Sequence, residues 1–120
     1  MRIENVNNLN IPVKYKKVIL ETINNLITAN LDDLERVILF GSCARGEVKF
    51  GSDVDIMFIT KYPVAKATDR CKYYDLEYYD EGLPSTDIVI NSEEFLLNSN
   101  SNFSITVKKD GLILWERGNI

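Results

Sequence analysis

The sequence predicts an α/β fold built as a small, mixed β-sheet flanked by helices. Two observations carry that expectation. Short apolar runs at residues 37–40, 53–60, 86–91 and 112–116 alternate with segments of helical period, the pattern of strands and helices in layers. The chain is 120 residues long, 45% apolar and 27% charged, with no internal repeat, low-complexity tract or linker. That size suits one core rather than two, so residues 1–120 read as a single domain.

Residues 1–10 are polar and Asn-rich and read as a loosely held lead-in. Pro12 suits a first helical turn. Tyr15, Ile19, Ile23, Leu26 and Ile27 then recur at helical spacing, predicting a helix to about Ala29 that Asn30 ends. Residues 31–36 read as a connection. Residues 37–40 are apolar throughout, as in a strand buried on both faces. A short helix from Ser42 to about Phe50, interrupted by Gly46, leads to a turn at Gly51-Ser52. The strand at 53–60 ends before Pro63. The next helix places Ala67, Cys71, Tyr74 and Tyr78 on one stripe, ends at Gly82, and cannot continue through Pro84. After the strand at 86–91, Ser92 caps a helix with Glu93 and Glu94 in its first turn, where acids suit the helix dipole. Ser101 caps another to Lys109, and Asp110-Gly111 turns the chain into the strand at 112–116.

The net charge is −4 and there is no histidine, which excludes a His-based zinc site or a Ser-His-Asp triad within the chain. The acidic balance argues against direct stable nucleic-acid binding, which needs clustered Lys and Arg to neutralise phosphates. Cys43 and Cys71 form neither a metal pair nor a disulfide framework, the usage of a reducing compartment. No apolar run is long enough to span a membrane, and the first residues lack a signal-peptide pattern. The chain reads as soluble and cytoplasmic, with no membrane partner.

The chemistry is concentrated in V-I-L-F-G-S-C-A-R-G-E-V-K-F-G-S-D-V-D-I-M-F-I, residues 37–59. Residues two apart on a strand share a face, so Asp53 and Asp55 project together while Val54, Ile56 and Phe58 line the opposite, buried face. Parallel carboxylates repel unless a cation sits between them, and hard Mg2+ suits oxygen ligands. The bland alternative is a solvated face of an edge strand, but strands disfavour Asp, and like charges side by side are destabilising. Gly41 lets a ligand approach the backbone, and Ser42 stands where a helix start favours phosphate. Together these elements suggest a site for a metal–nucleoside triphosphate.

The string G-S-x-A-R-G followed by S-D-x-D resembles the DNA polymerase β-type nucleotidyltransferase superfamily, and within it the minimal nucleotidyltransferases that act as antitoxins in HEPN/MNT toxin–antitoxin pairs. The resemblance spans residues 34–115. It implies the nucleotidyltransferase fold, and a third carboxylate on a later strand, for which Asp87 in T-D-I-V-I fits. It further implies two Mg2+ ions, both bound by Asp53 and Asp55, with Asp87 completing the one that activates an acceptor hydroxyl. Gly41 and Ser42 would hold the terminal phosphates of ATP, and attack at the α-phosphate would release pyrophosphate. Arg45 reads as reaching the triphosphate or as a surface ion pair with Glu47 or Asp53. Ser52 reads as a turn cap or a ligand contact, and Cys43 has no base beside it to make it a nucleophile.

The function so implied is transfer of AMP from ATP to a hydroxyl, with a tyrosine of a cognate HEPN ribonuclease toxin as acceptor. Two rivals remain open: a non-catalytic antitoxin that neutralises a HEPN partner by binding, and a small-molecule transferase of the aminoglycoside type. The second is the poorer match to so short a chain. Tyr73, Tyr74, Tyr78 and Tyr79, set among Asp75, Glu77, Asp80 and Glu81, read either as a helix packing Tyr74 and Tyr78 inward or as a partner surface.

Overall fold

The apolar strand that precedes Gly41 is the second of five in one mixed sheet. The computed structural model describes residues 1–64, 67–76 and 80–118. The strands are β1 (Arg2–Ile3), β2 (Leu34–Phe40), β3 (Val54–Thr60), β4 (Thr86–Ser92) and β5 (Leu112–Glu116). Their spatial order is β1-β5-β2-β3-β4. β2 pairs antiparallel with β3 and with β5, whereas β1–β5 and β3–β4 are parallel. The α-helices are α1 (Val13–Ala29), α2 (Gly41–Arg45), α3 (Ala67–Tyr74), α4 (Glu93–Asn98) and α5 (Asn102–Asp110), and a 3-10 turn spans Val6–Asn8.

Alternation of side chains along the central strands builds two cores. Val37, Leu39, Val54, Ile56, Phe58, Ile88 and Ile90 pack under α1 and α3. Ile38, Met57, Ile59 and Ile113 pack on the other face under Leu96 of α4 and Val107 of α5. β3 is therefore apolar on both faces over Ile56–Ile59, as expected for a strand between two layers. A parallel β3–β4 pair cannot be joined by a hairpin, and the crossover carries α3.

Several elements differ from expectation in ways that have physical causes. β2 starts at Leu34, because Arg36 inside it is neutralised by Glu116 of β5 and Glu93 of α4, so charge there does not mark a connection. Residues 1–10 are tied down: Arg2 and Ile3 pair with Leu112 and Ile113, and Val6 and Leu9 are buried. In α1, Val18 and Thr22 are buried and Ile27 is exposed, so the buried stripe is rotated from the one expected at its end. Asn30 ends α1 in the left-handed conformation, φ 51°. The fragment after Gly46 is not helical; Gly46 itself closes α2 with φ 70°. α3 ends at Tyr74, well before Gly82, and it is Tyr73 that is buried, against Phe58, while Tyr74 is exposed. The positions of Tyr78, Tyr79 and Glu77 and the side chains of Ala67 and Cys71 lie outside the described residues.

The two predicted serine caps are in place. Ser92 Oγ accepts from the Phe95 N–H at 3.3 Å and Ser101 Oγ from the Ser104 N–H at 3.2 Å. Replacing Ser92 by alanine should cost about 0.5–2 kcal/mol of stability. Urea unfolding reads this as a lower midpoint with an unchanged slope, and an unaltered midpoint would remove the cap from the account of α4.

Candidate active site

The sheet ends where β2 finishes and β3 and β4 both begin, so residues from three strands meet there. The antiparallel register sets Phe40 against Asp55, and the parallel register sets Asp55 against Asp87. Asp53 lies just before β3, exposed, and Asp87 is exposed on β4, with Asp55 half-buried. Asp55 shares its strand face with Met57 and Ile59, so the carboxylate lies at the end of the layer beneath α4 and α5.

Gly41 adjoins Asp55 more tightly than the sequence suggests. A Cβ on Gly41 would collide with the Asp55 carboxylate oxygen and stand 3.1 Å from its Cγ. Its φ of 73° is also a conformation that L side chains rarely adopt. Glycine is thus needed here for the neighbouring carboxylate as well as for any ligand. Ser42 follows in the first turn of α2.

The electrostatics bear the mark of crowded acids. The Asp55 carboxyl is pushed above its ordinary value of 3.8 by burial first, then by Asp87 and Asp53, with Arg45 opposing. Burial and the charges of Asp55 and Asp53 push the Cys43 thiol up to about 11, against a lowering by its hydrogen bond with Ser42. It remains protonated at neutral pH and is no nucleophile. Arg45 is exposed, with its guanidinium 3.1 Å from Glu47 and 3.8 Å from Asp110. The predicted pairing with Glu47 is present; Asp110, read from sequence only as a turn residue, is a second partner. Ser52 is turned into its own loop, where its Oγ accepts from the Lys49 N–H at 2.9 Å.

Among the described residues no three His, Cys, Asp or Glu side chains are gathered closely enough to hold a metal ion between them. The donor set still fits a hard divalent cation: it is all oxygen, it is negatively charged, and its half-buried member is destabilised by charges that an ion would offset. A separate apolar hollow of about 140 Å³ lies at the far end of β2, against Ile27 and Trp115, and no carboxylate lines it. No helix among the described residues is long and apolar enough to cross a membrane.

Residues 21–118 match the family described as polymerase beta, nucleotidyltransferase. The chain belongs to the polymerase β nucleotidyltransferase family. It is 31% identical over 100 residues to a proposed protein adenylyltransferase of Methanocaldococcus jannaschii, covering 83% of this chain and 97% of that one. A crystal structure of a proposed nucleotidyltransferase from Sulfolobus solfataricus superposes with a TM-score of 0.65 at 22% identity, over 89% of this chain and 85% of that one. The toxin–antitoxin structure MntA–HepT superposes with a TM-score of 0.50 at 20% identity, over 87% and 71%. Nucleotidyl transfer is accordingly the kind of activity this fold carries here.

Sequence reasoning missed two residues at the edge of the site. The sequence marks Tyr15 only as one of the helical stripe of α1 and Cys43 only as a thiol without a base, yet the Tyr15 hydroxyl donates to the Ser52 carbonyl and the Cys43 thiol to the Asp53 carbonyl. The available signal was a tyrosine on a buried stripe, since a buried phenol needs a partner that phenylalanine would not.

Two expectations follow. Gly41→Ala should destabilise the protein by at least about 1–2 kcal/mol through its left-handed backbone alone, and should also displace Asp55. Denaturant unfolding measures the first effect, and a wild-type midpoint would contradict the packing described. Asp55→Asn should stabilise the ligand-free protein at neutral pH. A carboxyl whose folded pKa is raised contributes stability below its unfolded pKa and loses it as pH rises through the folded value. The gain should therefore appear above that value and vanish below about pH 3.8, the reference for an unperturbed carboxyl. Melting temperatures across pH 3 to 8, roughly the window that brackets the titration, test it; equal melting at neutral pH would refute it.

Proposed function

We propose that this protein is an Mg2+-dependent adenylyltransferase that moves AMP from ATP onto a hydroxyl of a protein partner, with a tyrosine of a HEPN ribonuclease toxin as acceptor and this chain as its antitoxin. The observation that carries the reading is the register of β3 and β4, which sets Asp87 beside Asp55 at the strand end where Gly41 and Asp53 also lie. Support for an adenylyl group comes from the name of the Methanocaldococcus relative, and support for a toxin as partner from the MntA–HepT pair.

In this reading Asp53 and Asp55 would hold both ions and Asp87 would complete the one serving the acceptor. Mg2+ held there would supply charge neutralisation for the triphosphate and lower the pKa of the acceptor hydroxyl. The backbone N–H of Gly41 and the Ser42 hydroxyl would donate to terminal phosphate oxygens. Arg45 is close enough to Asp55 to lower its pKa, and could exchange Glu47 for a phosphate, since that ion pair is exposed and weakly held. The acceptor hydroxyl gives up its proton to solvent, and its oxygen forms a bond to the α-phosphorus as the bond from that phosphorus to the bridging β-phosphate oxygen breaks, releasing pyrophosphate. In this reading Ser52, whose Oγ accepts from the Lys49 N–H, serves the turn into Asp53.

Asp87→Asn separates this reading from neutralisation by binding alone. The variant should keep most of its affinity for MgATP and for the partner, yet lose transfer by about 10²-fold or more, since its role lies in activating the acceptor. Mass spectrometry of a co-expressed HEPN partner is the measurement: wild type should add the mass of AMP and the variant should not. A neutralised partner of unchanged mass, protected equally by both forms, would establish the binding module instead.

A further inference from the structure

Asp53 is the one acid of the three that no strand holds. β3 begins at Val54, and the preceding residues form a turn in which the Ser52 N–H donates to Lys49 O at 3.0 Å. Such a position would ordinarily leave the direction of its side chain poorly set. Here the two peptide planes on either side of the Asp53 Cα are both pinned. The Tyr15 hydroxyl, from α1, donates to the Ser52 carbonyl at 2.9 Å and fixes the plane before it. The Cys43 thiol, from α2, donates to the Asp53 carbonyl at 3.6 Å, and the Val54 N–H of the same plane donates to Ser85 O at 2.8 Å. Since each peptide unit is rigid, holding both planes fixes the φ and ψ of Asp53 and so the direction of its Cα–Cβ bond.

The supports are themselves buried. Tyr15 is 4% exposed and Cys43 1%, and both belong to the core beneath α1. A phenylalanine would fill the Tyr15 site equally well, so packing does not account for the hydroxyl. Its partner is the peptide next to a carboxylate of the candidate site, and it comes from a helix remote in sequence. We propose that Tyr15 is a positioning residue for Asp53, with Cys43 as a second support: the two donors hold the loop residue in the direction that a metal–nucleotide ligand requires. The proposal rests on the reading of Asp53 as a ligand of the metal-bound triphosphate.

Tyr15→Phe deletes the donor and keeps the ring; Cys43→Ala deletes the weaker donor and Cys43→Ser restores one. Amide hydrogen exchange of the ligand-free protein reads the clamp, and calorimetry with Mg2+ and a non-hydrolysable ATP analogue reads its consequence. Tyr15→Phe should speed exchange at residues 53–54 about tenfold relative to Ile56 and Met57, and weaken analogue binding about tenfold, a loss of the size expected for one buried hydrogen bond. Cys43→Ala should shift both in the same direction by less, and Cys43→Ser should recover most of that loss. If wild type binds the analogue and Tyr15→Phe binds it equally well, the role is overturned even where exchange has quickened, because the hydroxyl then serves only the fold. Unchanged exchange overturns the clamp itself. Should Tyr15→Phe fail to fold, equal binding by the Cys43→Ala and Cys43→Ser variants overturns the proposal. A wild-type protein that does not bind the analogue at all overturns the adenylyltransferase reading and this role with it.

Discussion

One strand buried on both faces, β3, holds Asp55 beside the like charge of Asp87 at one end of the sheet, and the candidate site depends on that constraint. Asp55 beside Asp87 is an unfavourable pair, made worse by partial burial of Asp55. Immediately behind it Ile56, Met57, Phe58 and Ile59 are wholly inaccessible to solvent. Each such side chain contributes roughly 1.5–3 kcal/mol on burial, against an order of 1 kcal/mol for charges that solvent still screens. Hydrophobic burial therefore sets the register, and the carboxylates have to tolerate it. The same balance explains why the acids cluster at the mouth of the sheet: one residue further in, the core would exclude them.

The neighbouring helices adapt to that register in different ways. α2 approaches Asp55 at a glycine, where no side chain intervenes. α1 sends one hydroxyl to the loop before β3, and Arg45 links the end of α2 to Asp110 at the end of α5. The site is thus contacted by both layers, although its acids come from the sheet alone.

Reading the sequence recovered those parts of the molecule whose signal is local. The glycine after an apolar run, the serine caps and β5 over Leu112–Glu116 are all written within a few residues, and the structure reproduces them, whereas β3 begins at Val54 and leaves Asp53 just outside the strand expected to carry it. What it missed is set at a distance. Arg36 looks like loop until Glu93 and Glu116 arrive from elsewhere to neutralise it. Arg2 and Ile3 are too few to announce a strand, and become one only by pairing with β5. Tyr73 and Tyr74 are adjacent and alike, so only the position of Phe58 decides which turns inward. The alignment of Asp87 with Asp55 belongs to the same class, because periodicity within one strand says nothing of its register against another.

That division between near and distant has a kinetic counterpart. Gly41 and Asp53 stand at the two ends of the connection between β2 and β3, a consecutive antiparallel pair in which Asp55 faces Phe40. Asp87 arrives on a parallel strand after a crossover that includes α3. Closing the longer, non-local connection carries more entropy loss before any contact rewards it. The expected order of assembly during folding is therefore two acids first and the third later. A chain caught between those events presents the Asp53–Asp55 half of the site with its β4 side uncovered, and the apolar edge of β3 is then open to strands of other molecules. Completion of the carboxylate set and protection against aggregation are consequently the same folding step.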